Sequence, residues 1–247
     1  MTLKMRILLS IVILLIIAYL CMAFTLFSKK PEGRVCSEIE VATKDTIFSN
    51  LFTARSVTDI LKQKKLNPIG QNIDSVSTLL IERELSQNAL IDNVECYKTP
   101  SGKIHIDISQ KTPVLRVFNS AGENFLVDDK GSIMPQVSSN AFHLPVVTGH
   151  ATKSFCASKL RDLGVFLQHD AFWKAQVEQI NVLSGYNIEI VPRVGNHIIY
   201  LGQLDDYEAK LHRVEKFYTR ALNKIGWNKY ERINVELSNQ IICTKRK

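Results

Sequence analysis

The sequence predicts an α+β protein in three parts: a single N-terminal transmembrane helix, a small domain ordered β-α-α-β-β, and a β-rich domain with packed helices. Three observations predict it. Ile7 to Phe27 contains no charged residue. Ile104, Ile106 and Ile108 alternate with His105, Asp107 and Ser109, the period of two of a half-buried strand, and more such runs follow. Tyr207, Leu211, Val214, Tyr218, Ala221 and Ile225 recur at spacings of four and three, the stripe of an amphipathic helix lying on a sheet.

The apolar run comes first. As a helix, 7–27 is roughly 30 Å long at 1.5 Å per residue, enough to cross the hydrocarbon core of a bilayer. A cleaved signal peptide would end its apolar region sooner and follow it with small residues, whereas Phe24-Thr25-Leu26-Phe27 leads into Ser28-Lys29-Lys30. Leu20 precedes Cys21 where a lipoprotein signal needs a small residue. The segment therefore reads as an uncleaved anchor behind a tail of residues 1–6. Lys4 and Arg6 on one side nearly balance Lys29, Lys30 and Arg34 on the other, so charge does not orient it.

The totals fit this division. The chain has 247 residues, 45% of them hydrophobic, a mean hydropathy of −0.01 and a net charge of +7. Such a charge suits a surface near anionic lipid, and no RNP-like motif, zinc-finger spacing or dense Lys/Arg helix points to nucleic acid. Cys21, Cys36, Cys96, Cys156 and Cys243 are scattered without a CxxC, which removes the usual zinc and thioredoxin readings; a Cys36–Cys96 disulfide is left open.

After a linker at 28–34, Val35 to Val41 alternates as a strand. Ser56-Val57-Thr58-Asp59 resembles a capping box opening a helix that ends at Leu66-Asn67-Pro68-Ile69-Gly70. A second helix is expected from Asn72 or Asp74 to Asn88, with Ile73, Val76, Leu80 and Ile81 inward. Val94 to Lys98, the turn Thr99-Pro100-Ser101-Gly102 and Ile104 to Ser109 then make a hairpin. Lys111-Thr112-Pro113 interrupts the run, because proline cannot donate to a ladder. The first domain is thus bounded at 35–112 and the second at 113–247.

The second domain opens with Val114 to Phe118, the turn Asn119-Ser120-Ala121-Gly122, Phe125 to Val127 and the turn Asp128-Asp129-Lys130-Gly131. A helix from about Ser154 turns Leu160, Leu163 and Leu167 inward. Strands follow at Ile180, at Tyr186 to Ile190 and at His197 to Leu201. Asp205 with Glu208 reads as a capping box for the striped helix, and Gly226 ends it. In the last strand, Arg232 to Cys243, Ile233, Val235, Leu237, Ile241 and Cys243 share one parity. The residues alone leave two readings of it, an ordinary strand or an exposed edge offering backbone groups to a partner strand.

The β-α-α-β-β order directly after an anchor resembles a POTRA domain. With NVECYKTPSGKIHIDISQKTPVLRVF, FLVDDKGSIMP and LPVVTG in that order, the chain resembles the FtsQ/DivIB family of bacterial cell-division proteins over essentially its whole length. The resemblance implies a non-enzymatic scaffold in the cytoplasmic membrane, with its C-terminal domains in the periplasm at the septum. It implies FtsB and FtsL as small bitopic partners, with septal peptidoglycan synthases downstream. Partner contact by strand addition near the C-terminus is then expected around Tyr230, Ile233, Val235, Leu237 and Asn239. Ser238-Asn239-Gln240-Ile241 departs from the Asn-Gly turn of many relatives, and the tail before the anchor is very short.

No catalytic, cofactor or metal site is expected. The six histidines show no HExxH, and GxSxG, Walker and dinucleotide motifs are absent. Asp128-Asp129 reads as a turn rather than a carboxylate pair. Two alternatives stand beside the scaffold. A POTRA-bearing outer-membrane assembly or secretion component would need many ten-residue alternating strands, and an anchored periplasmic hydrolase would need a convergent catalytic set.

Overall fold

The computed structural model describes residues 3–27, 33–44, 53–136 and 143–247, with side chains of the first helix placed over 11–25. That helix, α1, spans Leu3–Phe27. It starts within the expected tail, since nothing between Leu3 and Arg6 breaks a helix. Among the described residues no helix is long and apolar enough to cross a membrane. Most of the expected linker at 28–34 lies outside the described residues.

The first domain follows the expected order: β1 Ile39–Thr43, α2 Ala54–Gln63, α3 Thr78–Ser86, β2 Ile91–Lys98 and β3 Ile104–Gln110. β3 is central, parallel to β1 and antiparallel to β2. Ile104, Ile106 and Ile108 are fully buried against Val57, Leu61, Ile81 and Leu85 of the two helices. Burying each isoleucine contributes about 1.5–3 kcal/mol, which makes β3 the strand the domain is built on. Cys36 and Cys96 are both buried in this core as free thiols.

Three expectations are corrected here. The first strand begins at Ile39, because Cys36 exchanges backbone bonds with Gly70 and Gln71, leaving Val35 a lone bridge to Asn72. The N-cap of α2 is Thr53, whose Oγ1 accepts the Ser56 N–H, so Ser56 lies inside the helix. The second helix begins only after Ser77. Asn72 instead closes an Asx turn by accepting the Asp74 N–H, and Ile73 and Val76 are buried from that loop. With the later start, Ile81 and Leu85 set the inward face, and Leu80 is 47% exposed.

The second domain is a nine-stranded sheet. Its strands are β4 Pro113–Phe118, β5 Asn124–Asp128, β6 Ile133–Pro135, β7 Val146–Gly149, β8 Val177–Val182, β9 Ile188–Pro192, β10 Ile198–Gly202, β11 Tyr230–Asn234 and β12 Ile242–Lys245. Their order is β12-β11-β10-β9-β8-β7-β4-β5-β6. A single row of apolar side chains crosses eight of them: Phe125, Val117, Val147, Ile180, Ile190, Ile199, Ile233 and Cys243 are successive register partners. Every member but Cys243 is buried.

Three helices cover that row. Helix α4 (153–169) consists of Lys153–Phe155, a π-turn at Cys156–Leu160 and Arg161–His169. Gly164 admits it closely, since a Cβ there would lie 2.7 Å from Leu115 Cγ on β4. Helix α5 is Ala171–Gln176, capped by Asp170, with Trp173 buried. Helix α6 (207–225) joins Tyr207–Phe217, a π-turn at Tyr218–Leu222 and Asn223–Ile225, and ends at Gly226 with φ +96°. The π-turn corrects the expected stripe. Its wider turn shifts the phase of the last residues, so Leu222 is buried and Ile225 is 41% exposed. Asp205 does not cap α6 either; its carboxylate takes the Nζ of the buried Lys210 at 2.7 Å, and Asp206, in the left-handed region, precedes the helix.

On the opposite face a polar chain runs across the sheet. Gln179 Nε2 donates to Thr148 Oγ1, Thr148 to Asn181 Oδ1 and Asn181 to Glu189, which also receives Arg232 Nη1 at 2.8 Å.

The two domains are joined without a spacer, as Gln110 ends β3 and Pro113 starts β4. The Lys111 N–H bonds to Leu90 O, the Asp129 N–H to Thr112 O, and Lys130 Nζ reaches Asp92 at 2.5 Å. Asp128-Asp129-Lys130-Gly131 is a turn: buried Asp128 Oδ1 accepts the N–H groups of Lys130 and Ser132.

Candidate functional site

The expected last strand is two strands. Tyr230–Asn234 runs parallel to β10, and Val235 extends it through its N–H to Tyr200 O. The chain then turns at Ser238-Asn239 and returns as β12, antiparallel to β11 and outermost in the sheet. The parity expected from the sequence fails at Leu237, 49% exposed in the turn, but for Ile233, Val235, Ile241 and Cys243, which pack against the covered core, it survives this break. The continuity does not.

Hydrogen-bond direction identifies the atoms that the edge leaves outward. The Val235 N–H faces β10, so by alternation Ile233 also faces β10, and Arg232 and Asn234 face β12. Their register partners Thr244 and Ile242 therefore point their backbone groups inward, as does Arg246, whose N–H bonds to Lys229 O. Cys243 and Lys245 remain, with N–H and C=O directed away from the sheet. Neither is proline.

The expected contact residues divide into two sets. Ile233 and Val235 are fully buried, and Tyr230 is half-buried with its ring 6.1 Å from that of Phe217 on α6. These three hold the edge from beneath. Leu237, 49% exposed, and Asn239 lie in the turn at its end.

The sequence pattern did not single out what fixes this hairpin. Arg213 of α6 donates through Nη2 to the carbonyl oxygens of Val235 at 2.9 Å and Leu237 at 3.1 Å. Arg232 lies over the Tyr200 ring at 4.4 Å while bonded to Glu189. At the far end Arg246 donates to Asn196 O, next to His197. His197 is buried, its Nε2 2.5 Å from the Tyr218 hydroxyl and its ring near Trp227. Burial, with a smaller push from the Arg246 charge, lowers its pKa to about 4, so the imidazole is neutral near pH 7. Burial likewise raises the Cys243 thiol, which stays protonated. A histidine two residues from a positive-φ glycine is the one signal that could have marked this support. The arginine clamp has none, because its acceptors are backbone atoms.

Charge gathers at the same end. Residues 207–247 hold ten Lys and Arg against four Glu and no Asp, nearly all of the chain's +7.

Comparison with known proteins agrees with this architecture. Residues 34–109 match the POTRA-like domain, and residues 112–244 match the family described as FtsQ/DivIB, C-terminal related. A protein of Myxococcus fulvus (strain ATCC BAA-855 / HW-1) named cell division protein FtsQ is 26% identical over 179 residues, which cover 68% of this chain and 61% of that protein. The matched stretch thus spans less than two thirds of the relative's length. With its second domain matched nearly end to end, the chain belongs to the FtsQ/DivIB family.

Proposed function

We propose that this protein is a non-enzymatic scaffold of the bacterial division machinery, anchored by 7–27 in the cytoplasmic membrane, with both folded domains in the periplasm at the septum. It binds an FtsB-like small bitopic protein by strand addition at β12, links FtsL-like partners to it, and so connects early septal components to the peptidoglycan synthases. The observation that carries this reading is the outward pair of backbone groups at Cys243 and Lys245, on an edge that, among the described residues, neither proline nor a covering element blocks.

The register and charge of this edge favour one kind of partner strand. The residue placed opposite Cys243 becomes the next member of the transverse row, so an apolar side chain is favoured there. The basic character of 207–247 favours an acidic segment and speeds its encounter at low ionic strength. Tyr230, Ile233 and Val235 act by holding β12 in register, while Leu237 and Asn239 meet the end of the added strand. The test is co-purification of the detergent-solubilised full chain with FtsB-like and FtsL-like periplasmic segments. A complex whose FtsB-like segment gains amide protection beside Cys243 and Lys245 supports strand addition, and a complex with β12 amides unchanged sinks it.

A further inference from the structure

An open cleft of about 650 Å³ lies between the start of α4, the turn at Ser184–Tyr186 and the start of α6. No residue of β11 or β12 lines it, so it is separate from the edge described above. We propose that this cleft binds a glycan chain, with the Tyr186 ring as the stacking platform.

The platform is built at a conformational cost. Tyr186 has φ +61°, a region that a bulky side chain seldom occupies and that is retained where the surroundings impose it. In that conformation its ring lies on Phe155, with centroids 4.4 Å apart and planes at 25°, while Tyr186 itself is 41% exposed. An aromatic ring backed by another and partly exposed along a cleft suits the C–H face of a pyranose. Around it stand groups that match sugar hydroxyls: Ser158 and Asp162 from α4, and Gln203, whose amide is fixed by Gly185 O at 2.8 Å and Asn187 Oδ1 at 3.1 Å.

Other ligand classes fit less well. The charged side chains lining the cleft are one lysine and two aspartates, so it offers no excess of positive charge for phosphates. Its walls are helical or turn segments, with no strand edge to which an extended peptide could add. A cleft of this size falls in the range of small-ligand sites, and its exposed polar rim lets a polymer enter and leave along the surface.

The test is saturation-transfer NMR on the full chain in detergent with chitotetraose as the probe, compared with Tyr186→Gly. Glycine adopts the left-handed conformation without strain, so this variant removes the ring and leaves folding intact, which an unchanged melting temperature verifies. Should it nevertheless unfold, Tyr186→Asn keeps the same backbone preference and serves in its place. The expected result is saturation transfer to the sugar C–H protons and affinity at least ~10-fold weaker in the variant. No transfer to the wild-type protein, equal binding by the folded variant, or binding of tetra-alanine in place of the sugar would each overturn the assignment.

Discussion

The two edges of the nine-stranded sheet present the same kind of backbone and differ in what they leave outward. At β12 the outward positions are Cys243 and Lys245, each with a free-facing N–H and C=O. At β6 the Asp128 N–H bonds to Ser132 O, so the alternation turns Ile133 and Pro135 outward. Pro135 has no N–H, and β6 is three residues long. Both edge strands are short, three residues at β6 and four at β12, but one is also blunted by proline, while the other carries no proline and is braced by Arg213 and Arg246. The two ends therefore differ in the backbone groups they turn outward, and the strand-addition proposal assigns the partner to the β12 end.

The sharpest way to break this contrast is to move the proline. Lys245→Pro removes an outward N–H and leaves the β11 ladder intact, so binding of an FtsB-like segment should fall about a hundred-fold, the equivalent of ~3 kcal/mol, with little change in melting temperature. Thr244→Pro strikes an inward N–H and should lower both binding and stability. Val235→Pro is a poorer probe, since the Val235 N–H and its buried side chain belong to the fold itself. Co-purification together with thermal melts checks all three. If Lys245→Pro and Thr244→Pro behave alike, the assignment of outward groups is wrong.

Next in size is the support beneath the edge. His197 has a folded pKa near 4, against about 6.5 in the unfolded chain. A depressed histidine is neutral in the folded state, so its contribution is complete above pH ~6.5 and is lost as pH falls from there towards 4, where the unfolded chain takes up a proton that the folded one refuses. At ~1.4 kcal/mol per unit the loss is about 2 kcal/mol at pH 5 and about 3 kcal/mol at pH 4. Urea midpoints at pH 7 and pH 5 read this directly. His197→Gln should flatten the dependence, and an unchanged slope would remove His197 as its source.

Arg213 comes third. Replacing it by alanine frees the carbonyl groups of Val235 and Leu237, and hydrogen bonds to a charged group are worth about 1.5–3 kcal/mol when well buried. Because Arg213 is only half-buried and water can reach the Leu237 carbonyl, the expected cost is ~1 kcal/mol, concentrated in the hairpin. Hydrogen exchange should therefore quicken at 241–246 while the row from Phe125 to Ile199 keeps its protection. Uniform loosening of the sheet would show that the clamp does not act locally.

These same elements show which parts of the molecule the sequence could disclose. Alternation in Ile104-Ile106-Ile108 sufficed for β3, because a strand between two neighbours with one covered face obeys a period of two throughout. In 232–243 the alternation reported the face of Ile233, Val235, Ile241 and Cys243, but neither that of Leu237 nor the direction of the chain. A turn that returns its residues to the same face leaves the parity undisturbed, so a hairpin and a straight strand look alike. Helix α6 failed differently: the stripe held through Tyr218 and then slipped to Leu222, since a π-turn changes the phase without a residue type that announces it. Asp205 was drawn from its capping role by buried Lys210, a tertiary demand that local spacing does not contain. The outward N–H groups at the edge depend on register with β10 and β11, and no single strand's sequence encodes that.

The smallest expected effect comes from opening the other edge. Pro135→Thr restores an outward N–H on β6 without touching the bonds between Leu126 and Met134, so stability should shift by less than ~1 kcal/mol. If proline is what keeps that edge unpaired, the variant should self-associate at concentrations where the wild-type chain does not, read by sedimentation velocity in the same detergent. Its binding of an FtsB-like segment at β12 should stay unchanged, because the two edges lie at opposite ends of the sheet. A variant that remains as dispersed as the wild type would mean that proline is not what closes β6, and the contrast between the edges would then rest on the bracing of β12 by Arg213 and Arg246.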